Sequence, residues 1–355
     1  MRVVAVVILG SLMGVVFERF RLCMSSTVTD SVLLGDRSKL RGLVFGVLVS
    51  AAAFNALIGA AVMKPATEPL SLMTAVAGVA FGLGMTLAGG CVSGTLFKMG
   101  QGYVASLLAF LGLVLGFGTM GYLMQFMTRP WEESQAPRWT GMTLAELLGV
   151  SPLLVAIPAA IACAALVWFW RRGGRIGGRE LDPVVGWTLV AILNTVYFAV
   201  LRQPLGVGGT PVYAASGLSY LVDPAWTLSN PMLGLVLGIP RIAIPGAAFL
   251  AGATLSAVVG GRFHARLPVA RQAASSIAGG FLMGIATTMM IGCNVTHILG
   301  GLPQLALSSL AATAGIAGGA WAGAKLLSRL LARHDAPASD HGLASTAVGS
   351  STAAS

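Results

Sequence analysis

Two stretches of the sequence decide the fold: FGLGMTLAGGCV at residues 81–92 and MGIATTMMIGCN at residues 283–294. Each is an apolar segment interrupted by glycine and cysteine, and the two cysteines, Cys91 and Cys293, lie 202 positions apart. A repeated apolar segment with a glycine break points to a transport site where broken helices of two repeats meet. The aligned pairs are Gly82 with Gly284, Thr86 with Thr288, Gly90 with Gly292, and further on Ser106 with Ser308, Leu108 with Leu310 and Gly116 with Gly318.

The composition is that of an integral membrane protein. Of 355 residues, 56% are hydrophobic and only 10% are charged, against about 25% charged in soluble proteins. Apolar windows of about 20 residues, the length a helix needs to cross the hydrocarbon core, recur along nearly the whole chain and leave no room for a soluble domain. The alternating pattern of an outer-membrane barrel is missing. We therefore predict an all-α integral membrane protein.

Apolar runs between polar breaks predict about nine transmembrane helices, with short broken or re-entrant helices at the glycine breaks. The first run resembles a secretory signal, but no small-residue cleavage site precedes residues 17–21 and the run has a counterpart in the second half, so we expect a helix. The predicted spans are residues 2–18, 41–62, 72–89, 103–127, 152–170, 184–201, 230–260 with an interruption at Pro240, 273–291 and 303–331.

Four clusters of basic residues set the predicted topology. An even number of spans separates each cluster from the next, so all four lie on one side, which the positive-inside rule assigns to the cytoplasm. Five spans precede the second cluster, and because five is odd, the second half enters the membrane in the opposite orientation. The clusters are Arg37, Lys39 and Arg41; Arg171, Arg172, Arg175 and Arg179; Arg262, Arg266 and Arg271; and Lys325, Arg329 and Arg333.

This topology predicts two inverted repeats, residues 1–179 and 180–333, around a pseudo-two-fold axis in the membrane plane. Cys91 and Cys293 then approach the membrane from opposite faces and face each other across the axis. The tail at residues 334–355 is rich in Ala, Ser and Thr without apolar periodicity, and we predict that it is disordered.

The glycines at the breaks, Gly89, Gly90 and Gly292, favour a ligand site. Glycine adopts backbone angles closed to other residues and lets a ligand approach the main chain. Backbone groups freed by a break are tolerated inside a membrane where they line a cavity or bind a ligand. A helix that begins near Cys91 directs free N–H groups at that ligand, which favours an anion. The alternative interpretation is a small-residue packing notch between helices.

Three of the four cysteines are candidate contacts for a sulfur-containing ligand. Cys91 and Cys293 follow the glycine breaks, where a thiol can donate a weak hydrogen bond or present a soft surface. Cys23 ends the first span close to Arg21. Cys163 lies inside an ordinary apolar helix, and we predict a packing role for it. Because the spacing fits neither a disulfide framework nor a metal site, we expect free thiols.

Polar residues surround the second break, and polar groups at membrane depth are functional candidates. Asn294, Thr296 and His297 follow the cysteine there, and we assign them, together with Arg21, to the substrate site. The alternative for His297 is a packing histidine with satisfied hydrogen bonds. The loop at residues 202–210 places an arginine before several glycines, a pattern that forms anion-binding nests.

Several functional classes are excluded by what the sequence lacks. It has no phosphate-binding loop for ATP and no histidine cluster for a metal ion, so we expect no cofactor, no metal and no enzyme activity. The net charge of +10 is carried by short loops between spans, and therefore reports membrane orientation rather than binding to nucleic acid.

At these motifs the chain resembles the YeeE/YedE family of bacterial inner-membrane sulfur-compound transporters. The resemblance implies a thiosulfate uptake path in which cysteines contact the ion in transit, often beside a small TusA-like sulfurtransferase. Some members are linked to selenium metabolism, and Met24 and Val92 depart from the family pattern, so the resemblance leaves the substrate open. The motifs, which span the chain to about residue 332, are Arg21-Leu22-Cys23, Gly89-Gly90-Cys91, the Arg202 to Thr210 loop and Gly292-Cys293-Asn294.

We therefore expect a multi-pass protein in the lipid of a bacterial inner membrane, with its basic loops in the cytoplasm. Its predicted function is uptake of thiosulfate, or a related small sulfur anion, through a channel-like path. Cys91 and Cys293 are the primary predicted contacts and Cys23 is the third. Two alternatives stay open: a permease for selenium compounds or sulfide, and a relay in which a persulfidated cysteine hands sulfur to a cytoplasmic acceptor.

Overall fold

The computed structural model is helical wherever it has regular secondary structure within the described residues, apart from two isolated β-bridges. The all-α prediction is confirmed for this part of the chain. The tail beyond His334, predicted to be disordered, lies outside it, as do Arg175 and Arg179 of the second basic cluster. The structure describes residues 2–68, 70–134, 141–172 and 183–334.

Long helices alternate with short ones along the chain. Besides the α-helices, a π-helix covers Val295–Gly301 and short 3-10 turns cover Pro240–Ile242 and Leu302–Gln304. The α-helices are α1 (Arg2–Arg19), α2 (Met24–Leu33), α3 (Ser38–Gly59), α4 (Leu72–Leu87), α5 (Val92–Gly100), α6 (Val104–Ser134), α7 (Leu144–Leu147), α8 (Leu153–Arg172), α9 (Pro183–Leu201), α10 (Gly209–Val222), α11 (Pro224–Ser229), α12 (Leu233–Leu237), α13 (Ile244–Val259), α14 (Ala270–Met289) and α15 (Leu307–His334).

Six segments of the described chain are long and apolar enough to cross a membrane, so the protein is a multi-pass membrane protein. Helices also occupy the other predicted spans, as α8, α14 and α15, and the predicted interruption near Pro240 is a 3-10 turn between α12 and α13. The total of about nine spans stays a prediction. The six segments are Arg2–Leu33, Ser38–Gly59, Leu72–Gly100, Val104–Met124, Pro183–Leu201 and Pro240–Val259.

Glycines bring the central helices into backbone contact. α6 packs along α14, α15 packs along α4, and α4 packs against α14. A Cβ atom on Gly116 would lie 2.1 Å from the Phe281 carbonyl oxygen, and one on Gly319 would lie 2.1 Å from that of Val79. Such close approach is how membrane helices gain packing energy without a hydrophobic driving force between them.

Four long helices are each followed by a residue with a positive φ angle and then by a short helix. These residues are Arg21 (φ 51°) after α1, Gly89 (φ 69°) after α4, Arg202 (φ 65°) after α9 and Ile291 (φ 51°) after α14. A left-handed residue is a common way to end a helix. Each turn leads into a short helix, respectively α2, α5, α10 and the π-helix, and these short helices carry the candidate site.

Candidate functional site

Two cavities lie at opposite ends of α1. The first, of about 770 Å³, is lined by Arg2, Val3 and Val6 at the start of the helix, and we call it the Arg2 cavity. The second, of about 580 Å³, is lined by Arg21 just beyond the helix end, and we call it the Arg21 cavity. α1 has 18 residues and is therefore about 27 Å long, so the cavities approach the centre from opposite faces.

The Arg21 cavity is strongly basic. Its described lining residues include five cationic side chains and no carboxylate. Lys98 donates to the Gly89 carbonyl oxygen at 2.6 Å. Two of the cations pair with carboxylates outside the lining, Lys39 with Asp30 and Arg262 with Glu18. Low-dielectric walls that carry one sign of charge concentrate the opposite ion, so this cavity favours anions. The cationic lining residues are Arg21, Lys39, Lys98, Arg262 and Arg266.

The Arg2 cavity is less polar and carries both signs of charge. Arg2, Arg241 and Glu68 line it together with many apolar residues. Burial raises the pKa of the Glu68 carboxyl above its ordinary range. The cavity extends to Gly208 and Gly292, which border the second cysteine break.

The first cysteine site is the pair Cys23 and Cys91. Cys23 is the N-cap residue of α2 and Cys91 is that of α5. The two sulfurs lie close together around Gly94, because a Cβ placed there would lie 2.6 Å from the Cys23 sulfur and 3.4 Å from the Cys91 sulfur. The Cys91 sulfur also accepts from the Gly94 amide at 3.4 Å and lies 3.3 Å from the Ser93 hydroxyl. Cys23 lines the Arg21 cavity.

The second cysteine site is Cys293 together with Gly208. The Cys293 sulfur lies 3.8 Å from the Thr296 hydroxyl, which also accepts from the Cys293 amide at 3.4 Å. Gly208 is the N-cap residue of α10, and a Cβ placed there would lie 3.3 Å from the Cys293 sulfur. Gly208 therefore has the same position relative to Cys293 as Cys23 has relative to Cys91 at the first site.

Asn294 links the two sites. Its side-chain nitrogen donates to the sulfur of Met24 at 2.7 Å, and Met24 directly follows Cys23. The Asn294 carbonyl oxygen is buried without a hydrogen-bond partner among the described residues. The structure therefore brings the two cysteine sites to either side of a buried contact between an amide and a thioether.

The glycine breaks differ from a packing notch in one respect. Gly89 has a φ of 69°, and a Cβ there would meet nothing within 4 Å, so the backbone conformation rather than helix packing requires glycine. Gly292 also has a positive φ, of 144°. Gly90 is buried behind them. Gly89 lines the Arg21 cavity and Gly292 lines the Arg2 cavity.

His297 is buried away from both cavities. Its ring nitrogens lie 3.1 Å from the Ser309 hydroxyl and 3.0 Å from the Met290 carbonyl oxygen, and the residue is fully buried. Thr296 lines the Arg2 cavity, whereas His297 lines neither cavity. These contacts fit the alternative interpretation, a packing histidine with satisfied hydrogen bonds. The assignment of His297 to the substrate site stays a prediction. Cys163 lies apart on α8 and is partly exposed.

Glu18 belongs to the site's surroundings but is not among the residues that the sequence predicted for it. Its carboxylate is fully buried and accepts hydrogen bonds from Gln101, Ser256 and Arg262 at 2.6 to 2.9 Å. Gln101 follows α5, so the ion pair between Glu18 and Arg262 anchors the segment that carries Cys91. The available signal was a lone carboxylate at the end of an apolar run, which resembles an ordinary interfacial charge.

The chain is similar in sequence to known transport proteins. A family model described as sulphur transport matches residues 19–322. A protein of Spirochaeta thermophila named thiosulfate transporter TsuA is 29% identical over 341 residues, which cover 91% of this chain and 98% of that protein. The Escherichia coli protein of the same name is 32% identical over 103 residues, 29% of each chain. A probable transporter YedE of Salmonella typhimurium is 26% identical over 176 residues, 47% of this chain and 42% of that one. The predicted resemblance to the YeeE/YedE family is confirmed.

Proposed function

Because the chain belongs to the sulphur transport family, we propose that this membrane transport protein takes up thiosulfate across a bacterial inner membrane. The relative that matches along 98% of its own length is named a thiosulfate transporter, which supports this substrate. The observation that carries the mechanism is that two cavities, one from each end of α1, meet the two cysteine sites.

The path is built on two inverted repeats. Helix contacts support this, because each contact in one half has a counterpart made by the equivalent helices of the other half. α6 packs on α14 and α15 packs on α4. In the same way α1 packs on α13 and α9 on α3, while α2 packs on α15 and α10 on α6. The chain runs from Glu68 at the Arg2 cavity through α4 to Gly89 at the Arg21 cavity, and from Gln272 at the Arg21 cavity through α14 to Ile291 at the Arg2 cavity. Equivalent helices thus run in opposite directions.

The register of the repeats shifts by one residue after the cysteines. Cys91 and Cys293 are 202 positions apart, whereas Gly116 and Gly319, which make equivalent backbone contacts, are 203 apart. The π-helix Val295–Gly301 stands opposite α5, and a π-turn accommodates one additional residue. The sequence alignment of Gly116 with Gly318 is therefore wrong by one position, and Gly318 faces open space.

The Arg21 cavity faces the cytoplasm in this proposal. Lys39 of the first basic cluster and Arg262 and Arg266 of the third line this one cavity, which agrees with the positive-inside rule. Apolar side chains exposed on the outer faces of the helices suit contact with lipid. A TusA-like sulfurtransferase, which the family resemblance implies, would receive the ion at the Arg21 cavity.

Thiosulfate enters from the Arg2 cavity, contacts Cys293, passes the Met24 and Asn294 contact, and reaches Cys23 and Cys91. The N-terminal ends of α2, α5 and α10 point at these sites, and their partial positive charge stabilises an anion. Thiols donate weak S–H hydrogen bonds to the terminal sulfur of the ion. Weak contacts at several successive sites permit both entry and release. The positive charges of Arg21, Lys98 and Arg266 at the Arg21 cavity then favour exit on that side.

The test is uptake of labelled thiosulfate into proteoliposomes that contain the purified protein. We expect uptake that excess unlabelled thiosulfate abolishes and sulfate leaves unchanged. If sulfide or a selenium compound competes more strongly than thiosulfate, the permease alternative is correct. If the protein gains a covalent sulfur adduct during turnover, as intact mass would reveal, the relay alternative is correct.

A further inference from the structure

The first cysteine site places two thiols close together around Gly94. Cys23 and Cys91 are the N-cap residues of two different short helices. Gly94 makes this possible, because a Cβ there would lie 2.6 Å from the Cys23 sulfur and 3.4 Å from that of Cys91. Both cysteines are free. The arrangement is that of a dithiol whose sulfurs can join.

The other two cysteines lack such a partner. Gly208 stands opposite Cys293, and Cys163 lies alone on α8. All four cysteines are free thiols in the structure. Any chemistry that requires two neighbouring thiols is therefore confined to Cys23 and Cys91.

We propose that Cys23 and Cys91 form a redox modification site that a small anionic disulfide closes, and that closure stops transport. Tetrathionate, the oxidised dimer of thiosulfate, is the probe of this chemical class. The formation of the disulfide follows from the geometry of the pair alone, whereas its effect on transport rests on the proposed function.

Charge and access favour this reaction. Cys23 lines the Arg21 cavity, in which Arg21 and Lys98 concentrate anions. Cys91 is fully buried behind it. The first attack therefore falls to Cys23, and Cys91 is placed to resolve the mixed disulfide.

The two steps balance without a further reagent. The Cys23 thiolate attacks one central sulfur of tetrathionate, the central S–S bond breaks, and thiosulfate leaves with the electron pair. The Cys91 thiolate then attacks the Cys23 sulfur and releases a second thiosulfate. Two protons pass to solvent, the thiol pair loses two electrons and tetrathionate gains them. A thiol reductant reverses the modification.

Closure changes the site in two ways. Both S–H donors disappear, so the site loses the groups that contact the ion. The new bond also ties the start of α2 to the start of α5, which fixes the two segments that border the Arg21 cavity. We expect a blocked path that reduction reopens.

The test combines intact mass with uptake. Purified protein is treated with tetrathionate, its free thiols are counted under denaturing conditions, and its mass is measured. Wild type should lose two of four reactive thiols and two hydrogens in mass. Cys163→Ser, the matched control, should behave in the same way with one thiol fewer. Cys23→Ser and Cys91→Ser should lose no hydrogen pair. Wild type that carries only single-thiol adducts overturns the proposal.

Uptake is measured in the same reduced, oxidised and re-reduced samples. We expect oxidised wild type to lose at least nine tenths of its thiosulfate uptake and dithiothreitol to restore it. Unchanged uptake by protein whose disulfide is established by mass overturns the inferred block. Absence of uptake in the reduced wild type contradicts the proposed function instead, so the two failures are distinguishable.

Discussion

The two halves of the protein hold their cysteine segments in place with different chemistry. In the first half, Gln101 donates to the buried carboxylate of Glu18, which pairs with Arg262. In the second half, Gln304 occupies the matching place after the π-helix and bonds only to backbone, including both the amide and the carbonyl of Ala66. The cysteine segment of the first half is therefore held by an ion pair, and that of the second half by uncharged hydrogen bonds.

The same contrast extends through the second half. Asn194 donates to the Leu299 carbonyl and accepts from the Leu205 amide, and Asn55 donates to the Pro303 carbonyl. All of these bonds are buried and uncharged. One backbone scaffold thus supports two unequal sites: a dithiol beside an ion pair, and a single thiol within an amide network.

The largest effect on stability is expected from Glu18→Gln. The change leaves Arg262 without its buried partner. We expect a loss of about 3 kcal/mol in the free energy of unfolding, the lower end of the usual range for breaking a buried ion pair. The lower end applies because the Arg262 side chain is 24% exposed. Denaturant titration in mixed micelles measures the loss. The control is Asp30→Asn, which breaks a partly exposed pair and should cost less than about 1 kcal/mol. Equal losses would show that the first anchor does not depend on burial of its charge.

A second prediction tests whether the halves pack alike. Gly116→Ala and Gly319→Ala each push a Cβ to 2.1 Å from a carbonyl oxygen of the neighbouring helix, and overpacking of this kind costs about 2 kcal/mol. Gly118→Ala and Gly318→Ala meet nothing within 4 Å and should be neutral or slightly stabilising, since Ala favours helix over Gly. If Gly318→Ala rather than Gly319→Ala destabilises, the one-residue shift is wrong.

Gly208→Cys is expected to make the second site resemble the first. Gly208 has a φ of −69°, which any residue adopts, and its Cβ would lie 3.4 Å from the Cβ of Cys293, close to the separation found in disulfides. After tetrathionate treatment, the variant should retain one free thiol, on Cys163, where wild type retains two. Retention of three would show that the second site cannot close.

The smallest effect is expected from Glu68→Gln at the Arg2 cavity. Burial raises the pKa of Glu68, so the carboxylate becomes neutral as pH falls through that raised value, and its repulsion of an entering anion disappears. Wild-type uptake should therefore rise about twofold at lower pH, and the variant should show the higher rate at every pH. Asp36→Asn is the control, because Ser38 lowers the pKa of that exposed carboxyl. If Glu68→Gln leaves the pH profile of uptake unchanged, Glu68 is not the group that repels the entering anion.

The sequence predicted those features that depend on local pattern. Apolar runs located the long helices, and Gly89, Cys91 and Cys293 marked the breaks because glycine and cysteine interrupt an apolar segment there. Contacts between residues far apart in the chain could not be predicted from the sequence. The partners Glu18 and Arg262 are separated by 244 residues, and a lone carboxylate at a helix end gives no sign of burial.

Two further features depend on three-dimensional packing. Cys23 was predicted as a third contact, but its pairing with Cys91 requires the starts of α2 and α5 to converge. The role of Gly208 opposite Cys293 is likewise invisible from a glycine-rich loop. The π-helix escaped prediction because a one-residue insertion leaves the apolar pattern almost unchanged.

The most direct test of the account compares thiosulfate uptake by Cys91→Ala, Cys293→Ala and Cys163→Ala proteins in proteoliposomes. We predict that the first two lose at least nine tenths of wild-type uptake while they keep normal folding by size-exclusion chromatography, because each removes the thiol of one site on a single path. Cys163→Ala should transport like wild type. Wild-type rates for Cys91→Ala and Cys293→Ala would contradict the claim that the two cysteine sites line the path.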